Sequence, residues 1–92
     1  MIDTELEDQT VIDGDEVTLE CTLHGTPKPR VFWYHNKKKL KNSSDFSQTY
    51  DGKVARLVIA EVLDEDDGEY MCFAINKGGE TKTECQLTVK GN

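Results

Sequence analysis

Three cysteines, two histidines and two runs of like charge are the residues of this chain whose chemistry is worth testing first. Cys21, Cys72 and Cys85 lack the Cys-x-x-Cys spacing that gathers a zinc ligand set. A cysteine nucleophile needs an accessible thiol of lowered pKa beside a base. Here His24 falls on a loop, His35 falls at a strand end, and all three thiols fall at positions that read as buried. No Gly-x-Ser-x-Gly elbow, His-Glu-x-x-His pair or phosphate-cradling glycine loop is present. The acidic run Asp64, Glu65, Asp66, Asp67 and Glu69 invites comparison with a calcium loop. Setting Gly68 at the invariant loop glycine puts Leu63 at the first ligand position and Ala74 at the bidentate one, so the pattern fails. Asp66 is expected instead to cap nearby backbone amides. The residues therefore predict a chain that is not an enzyme, with no catalytic residues, no cofactor and no metal.

The elements that carry these residues follow from composition and alternation. Ninety-two residues, 36% hydrophobic and 32% charged, suit one packed module spanning residues 1–92. The net charge of −7 argues against nucleic acid as a partner, because phosphate binding needs a basic face. No apolar run is long enough to cross a bilayer, so no membrane partner is expected. No signal peptide precedes the first strand-like residues, which reads as a module cut from a longer chain. Val17, Leu19, Cys21 and Leu23 recur at period two and face one side of a strand. The Gly25-Thr26-Pro27-Lys28-Pro29 stretch breaks that strand, since proline removes donors and stiffens the connection. Val31 and Trp33 point inward on the next strand, and Leu40 points back in after a turn at Asn36-Lys37. Phe46 to Tyr50 is a short strand closed by an Asp51-Gly52 turn. Leu57, Ile59 and Val62 are inward, as are Tyr70, Cys72 and Ala74. A tight turn at Asn76 to Gly79 leads to a last strand lined by Cys85, Leu87 and Val89. Seven or more short strands at regular spacing predict an all-β, two-sheet antiparallel sandwich.

Cys21, Trp33, Asp66, Gly68, Tyr70 and Cys72, in that order and spacing, resemble the signature of a Greek-key immunoglobulin sandwich, in which the Trp packs on two sulfurs and the Tyr closes a corner. Gly14-Asp15, Pro29, Leu40, Leu57, Ile59 and Ala74-Ile75-Asn76-Lys77-Gly78-Gly79 narrow the resemblance to I-set domains. Within that set the chain is most similar to modules of giant muscle and cytoskeletal proteins, the titin, twitchin, obscurin, myosin-binding protein C and palladin group. Two departures stand out: Lys37 replaces the glycine usual in its turn, and Glu5 replaces the proline common in the first strand, which implies a softer switch there. The resemblance implies a parallel pairing of Gln9 to Ile12 with Leu87 to Lys90, and termini at opposite ends of the module. If Cys21 and Cys72 were oxidised, the bond would close a loop of about 50 residues and add about 4 kcal/mol on the chain-entropy estimate. As thiols they pack as small apolar groups.

Alternation also predicts an outer face. Phe32, Tyr34, Met71, Phe73 and Ile75 should form one outward apolar patch on two neighbouring strands, a candidate partner face. Long charged side chains draped over it are the plainer alternative. Lys37, Lys38, Lys39 and Lys41 form a basic knot on a hairpin tip, with Leu40 as its anchor. By resemblance that knot is a candidate actin contact, set against a merely solvated tip. Three readings of function follow. The first is a cytoplasmic structural and docking module of a sarcomeric or cytoskeletal protein, joined to neighbouring immunoglobulin or fibronectin type III domains and acting as a mechanical spacer. The second is an extracellular adhesion or receptor module, with the Asn42-Ser43-Ser44 sequon glycosylated. The third is a regulatory module beside a muscle-type kinase domain. An odd cysteine, Cys85, is ordinary in the cytosol and a liability outside it, which favours the first.

Overall fold

Among the described residues, period-two alternation becomes nine strands in two sheets. The computed structural model describes residues 2–25 and 27–91; Met1, Asn92 and Thr26 of the Gly25–Pro29 break lie outside the described residues. In chain order the strands are β1 (Ile2–Thr4), β2 (Gln9–Ile12), β3 (Val17–Leu23), β4 (Arg30–His35), β5 (Lys38–Lys39), β6 (Phe46–Tyr50), β7 (Val54–Ile59), β8 (Gly68–Asn76) and β9 (Gly79–Lys90). One sheet has the order β1-β3-β7-β6 and the other β2-β9-β8-β4-β5. Every ladder is antiparallel except β2 with β9, which runs parallel from Gln9↔Leu87 to Ile12↔Lys90. The two facing surfaces bury Val17, Leu19, Cys21 and Leu23 from β3, and Ala55, Leu57 and Ile59 from β7. Against them lie Trp33, Tyr70, Cys72, Ala74, Cys85 and Leu87 from the other sheet. Alternation assigns all of these but Ala55 to the interior; of the other residues it assigns there, Val62 is buried, while Val31, Leu40 and Val89 pack half-buried against the core.

Three features go beyond the sequence reading. A 3-10 turn, Asp64–Asp66, forms the corner between the sheets. The last strand begins at Gly79, well before Cys85, so Thr81 and Thr83 also turn inward and Thr83 is buried. The crossing from β1 to β2, where Glu5 stands in place of proline, is tied down by side chains. The Leu6 N–H donates to Thr83 Oγ1 at 3.1 Å, and Asp8 Oδ1 accepts from the Gln86 N–H at 2.8 Å. Leu6 itself joins the core.

Turn chemistry explains the remaining connections. Asp51 Oδ1 accepts from the amides of Lys53 and Val54, at 2.9 and 2.8 Å, closing the β6–β7 hairpin. The β4–β5 hairpin has two central residues with positive φ, Asn36 at 49° and Lys37 at 70°. That is the signature of a type I′ turn, whose twist suits the flanking strands and whose second position favours glycine. Asn36 also locks the start of β8: its Oδ1 accepts from the Glu69 N–H at 3.0 Å, and its own N–H donates to the Glu69 carbonyl at 2.8 Å. Gly68 is required there twice over, by its φ of 137° and because a Cβ would sit 2.5 Å from Asn36 Oδ1.

Lys37 therefore holds a left-handed conformation that costs a side chain roughly 1–2 kcal/mol. Part of that is offset in a glycine variant by the greater freedom of its unfolded chain, roughly 0.4–1 kcal/mol. Lys37→Gly should stabilise the fold by about 0.5–1 kcal/mol in urea denaturation, with an unchanged m-value; a loss of stability would show that the Lys37 side chain makes a compensating contact.

Candidate interaction site

The interior holds the thiols out of chemistry. Cys21 and Cys72 lie at 0% and 1% exposure, with their sulfurs 3.4 Å apart. A disulfide bond is roughly 2.04 Å long, so the sulfurs meet as hydrogen-bonded thiols. Their shared hydrogen bond, and then burial, hold the Cys72 thiol far above the ordinary range. Burial, followed by the Asp8 carboxylate, pushes the Cys85 thiol up to about 11. A cysteine nucleophile needs the reverse, a thiolate made cheap by neighbouring positive charge. The histidines are engaged elsewhere. His24 Nδ1 lies 2.9 Å from the Asp3 carboxylate. The His35 ring stacks on Tyr70 with centroids 4.4 Å apart, and its Nε2 lies 2.9 Å from the Asp67 carbonyl oxygen. Among the described residues, no three His, Cys, Asp or Glu side chains gather as a metal ligand set.

The acidic turn is spent on backbone. Asp66 Oδ2 accepts from the Leu63 N–H at 2.8 Å, Asp67 Oδ2 accepts from the Val89 N–H at 2.8 Å, and the Tyr70 hydroxyl donates to the Asp66 carbonyl at 2.6 Å. Asp66, Gly68 and Tyr70 thus meet at one corner, and Cys21, Trp33 and Cys72 meet in one core.

What remains for recognition is the outer sheet face. Register sets Phe32 opposite Phe73, Tyr34 opposite Met71 and Arg30 opposite Ile75, so the five candidate residues adjoin on one side. Ile75 is exposed and the other four are half-buried. On the far side of β8, Glu80, Lys82 and Glu84 stand opposite Ile75, Phe73 and Met71. The basic knot is divided. Lys37 occupies the turn, Lys38 and Lys39 form edge strand β5, Leu40 packs on the core, and Lys41 follows it. Lys39 does not project from a tip: its Nζ lies 4.6 Å from the centre of the Phe32 ring. Such a cation–π contact is worth about 0.5–1 kcal/mol at an exposed site. It covers one ring of the patch and is weak enough for a partner to displace. Sequence reasoning missed this contact, although Lys39 lies opposite Tyr34 in a register fixed by the two-residue turn.

A Greek-key sandwich with this tyrosine corner is of the immunoglobulin type. Residues 1–89 match the immunoglobulin I-set domain, and the chain belongs to that family. It is 39% identical to mouse (Mus musculus) palladin over 87 residues, which are 94% of this chain and 6% of that protein. It is 39% identical to chicken (Gallus gallus) smooth muscle myosin light chain kinase over 85 residues, 92% of this chain and 4% of that protein. The titin M10–obscurin-like 1 Ig complex superposes with a TM-score of 0.96 at 29% identity, covering 100% of this chain and 94% of that one. The chain thus spans less than a tenth of the curated relatives' length. It is an immunoglobulin domain homologous to those of sarcomeric and cytoskeletal proteins. Domains of this family are non-catalytic modules, including those carried by kinases.

Because Cys85 is protonated more tightly in the folded state, its contribution to stability is complete below about pH 9 and is lost as pH rises through about 11. Tyr70 is displaced in the same direction. Thermal stability should therefore fall steeply between pH 9 and 11, and a Cys85→Ala variant should lose part of that slope. An identical slope in the variant would mean that Cys85 does not titrate with unfolding.

Proposed function

We propose that this domain is a mechanical spacer and docking module of a larger cytoplasmic protein of the sarcomere or cytoskeleton, linked to neighbouring immunoglobulin or fibronectin type III domains. The observation that carries the reading is the parallel pairing of β2 with β9, one strand near each end of the chain. The module is 44 Å long and 23 by 20 Å across. Tension applied along it would load the Gln9–Ile12 to Leu87–Lys90 hydrogen bonds in shear, so that several must break together. Resistance to extension then depends on the unfolding barrier and not on equilibrium stability.

Docking belongs to the outer face of Phe32, Tyr34, Met71, Phe73 and Ile75, with Lys37, Lys38, Lys39 and Lys41 along one border. Aromatic and Met side chains ringed by charge suit a protein partner. The lysine border suits an acidic one, actin being the candidate. The titin M10–obscurin-like 1 complex, which pairs immunoglobulin domains of this family, supports a docking role in kind. Similarity to smooth muscle myosin light chain kinase supports a second reading, a regulatory module beside a kinase domain.

Two measurements test the proposal. The Ile12 N–H reaches Asp15 Oδ2 and the Asp13 N–H reaches the Lys90 carbonyl, so alternation points the Val11 N–H at β9. Val11→Pro should remove that donor and lower the single-molecule unfolding force; an unchanged force would show that β2 bears no load. In co-sedimentation with actin filaments, Phe73→Glu and Lys38→Glu should each weaken association while leaving the fold intact. Binding equal to the parent in both would remove the outer face from the reading.

A further inference from the structure

We propose that the free edge of β9 between Gly79 and Glu84 accepts an extended, positively charged segment of another protein, which adds as a strand to the outer sheet. This site is a sheet edge, separate from the aromatic face and independent of it.

Topology opens the edge. On the side away from β8, β9 is paired with β2 only over Leu87–Lys90. The chain N-terminal to β2 leaves for the other sheet, where β1 pairs with β3. The direction of the backbone groups follows from bonds on either side. The Gln86 N–H reaches Asp8 and the Lys90 carbonyl accepts from the Asp13 N–H, both on the β2 side. The Val89 N–H reaches Asp67 on the β8 side. Strand alternation then turns the N–H and C=O of Glu80, Lys82 and Glu84 away from β8. Beside them runs an open groove of about 510 Å³ between β1 and the β8–β9 hairpin, with Ile2, Pro29 and Ala74 among its apolar lining. An added strand would bond to this edge and place every second side chain toward the groove, the geometry of strand addition.

Charge chooses the occupant. Glu80 and Glu84 lie on the edge, Glu5 lines the groove beside it and Asp8 bonds Gln86 at its end, while Lys82 lies 3.8 Å from Glu84. A second copy carries a net charge of −7, which opposes its approach, and its basic β5 edge is only two residues long, too short to fill this one. Alternating charges on an edge also discourage self-pairing. A segment of alternating basic and apolar residues meets complementary charge outside and apolar surface inside.

The test uses a ten-residue peptide of alternating Lys and Val, titrated into isotope-labelled protein with amide exchange as the readout. The Lys82 and Glu84 amides should slow at least tenfold, with shifts confined to the first half of β9 and the groove. Raising the salt should reverse the effect. A peptide with Pro at its centre, or with Glu in place of Lys, should produce neither. Lys82→Pro should abolish the protection. Should that variant fail to fold, Glu5→Lys/Glu80→Lys should weaken binding at least tenfold with the core resonances unmoved. The proposal is overturned by no protection at millimolar peptide, by protection at Phe32 and Phe73 instead, or by equal binding of the acidic peptide. It is overturned as well if the same amides become protected with rising protein concentration alone, which would assign the edge to a second copy.

Discussion

The hydroxyl of Tyr70, donating to the Asp66 carbonyl at 2.6 Å, holds the two sheets in their relative places. The ring of Tyr70 is fully buried, faces Cys85 across β8 and β9, and stacks on His35. A buried phenol with no partner would cost roughly 1–3 kcal/mol, so the ring can enter the core only if the chain turns back beneath it. The 3-10 turn at Asp64–Asp66 supplies that carbonyl. Once the turn is fixed, Asp67 reaches the Val89 amide and Gly68 admits the Asn36 amide group. The corner, the last strand and the β4–β5 hairpin are thereby coupled through a few polar contacts at the rim of an apolar core. The register of the outer face depends on that coupling, since β4 and β8 set Phe32 against Phe73.

The core and the candidate face were legible because both are consequences of period two. Once Cys21 and Trp33 point inward, Leu19 and Val31 must follow, and Phe32 and Tyr34 must point out. The parallel pairing of β2 with β9 came from family resemblance, since no local pattern in Gln9–Ile12 specifies its partner. What escaped were contacts between residues distant in sequence. Nothing near Leu6 announces that its amide will meet Thr83, and nothing near Asp8 announces Gln86, because such bonds depend on where the chain crosses between sheets. The basic run does sit on the β4–β5 hairpin with Leu40 as its anchor, but the place of the Lys39 side chain escaped for a related reason. Composition marks four lysines as exposed, but a two-residue turn with both φ values positive ends at once in an edge strand. That lays Lys39 back over Phe32.

Seen across its width, the outer sheet changes sign. Lys38 and Lys39 occupy the β5 edge, while Glu80 and Glu84, with Glu5 and Asp8 close by, dominate the other. Between them lie the aromatic and Met side chains. Exposed edges invite pairing with other chains, and charge is a common means of restricting it. Here the restriction is of two kinds, since β5 is also very short. Glu5, Asp8, Glu80 and Glu84 stand at or beside one edge of the sheet and Lys38 and Lys39 at the other, so electrostatics favours one orientation of an approaching charged protein. Salt will weaken that steering, because its range is roughly 10 Å at 0.1 M ionic strength.

Under the proposed roles, one chain crossing would set both the strand pair that carries tension and the edge that accepts a partner. Between Glu5 and Asp8 the chain leaves one sheet for the other, and the position of that crossing divides β9 into two parts. Leu87–Lys90 is clamped by β2, and among the described residues Glu80–Glu84 has no ladder partner on the same side. Moving the crossing toward the N-terminus would lengthen the clamp and close the edge; moving it the other way would expose more edge and shorten the clamp. Leu6 anchored to Thr83 and Asp8 anchored to Gln86 set the crossing where it is. The partition of β9 is therefore held by one backbone-to-hydroxyl bond, one carboxylate cap and a buried leucine, and not by any property of β9 alone.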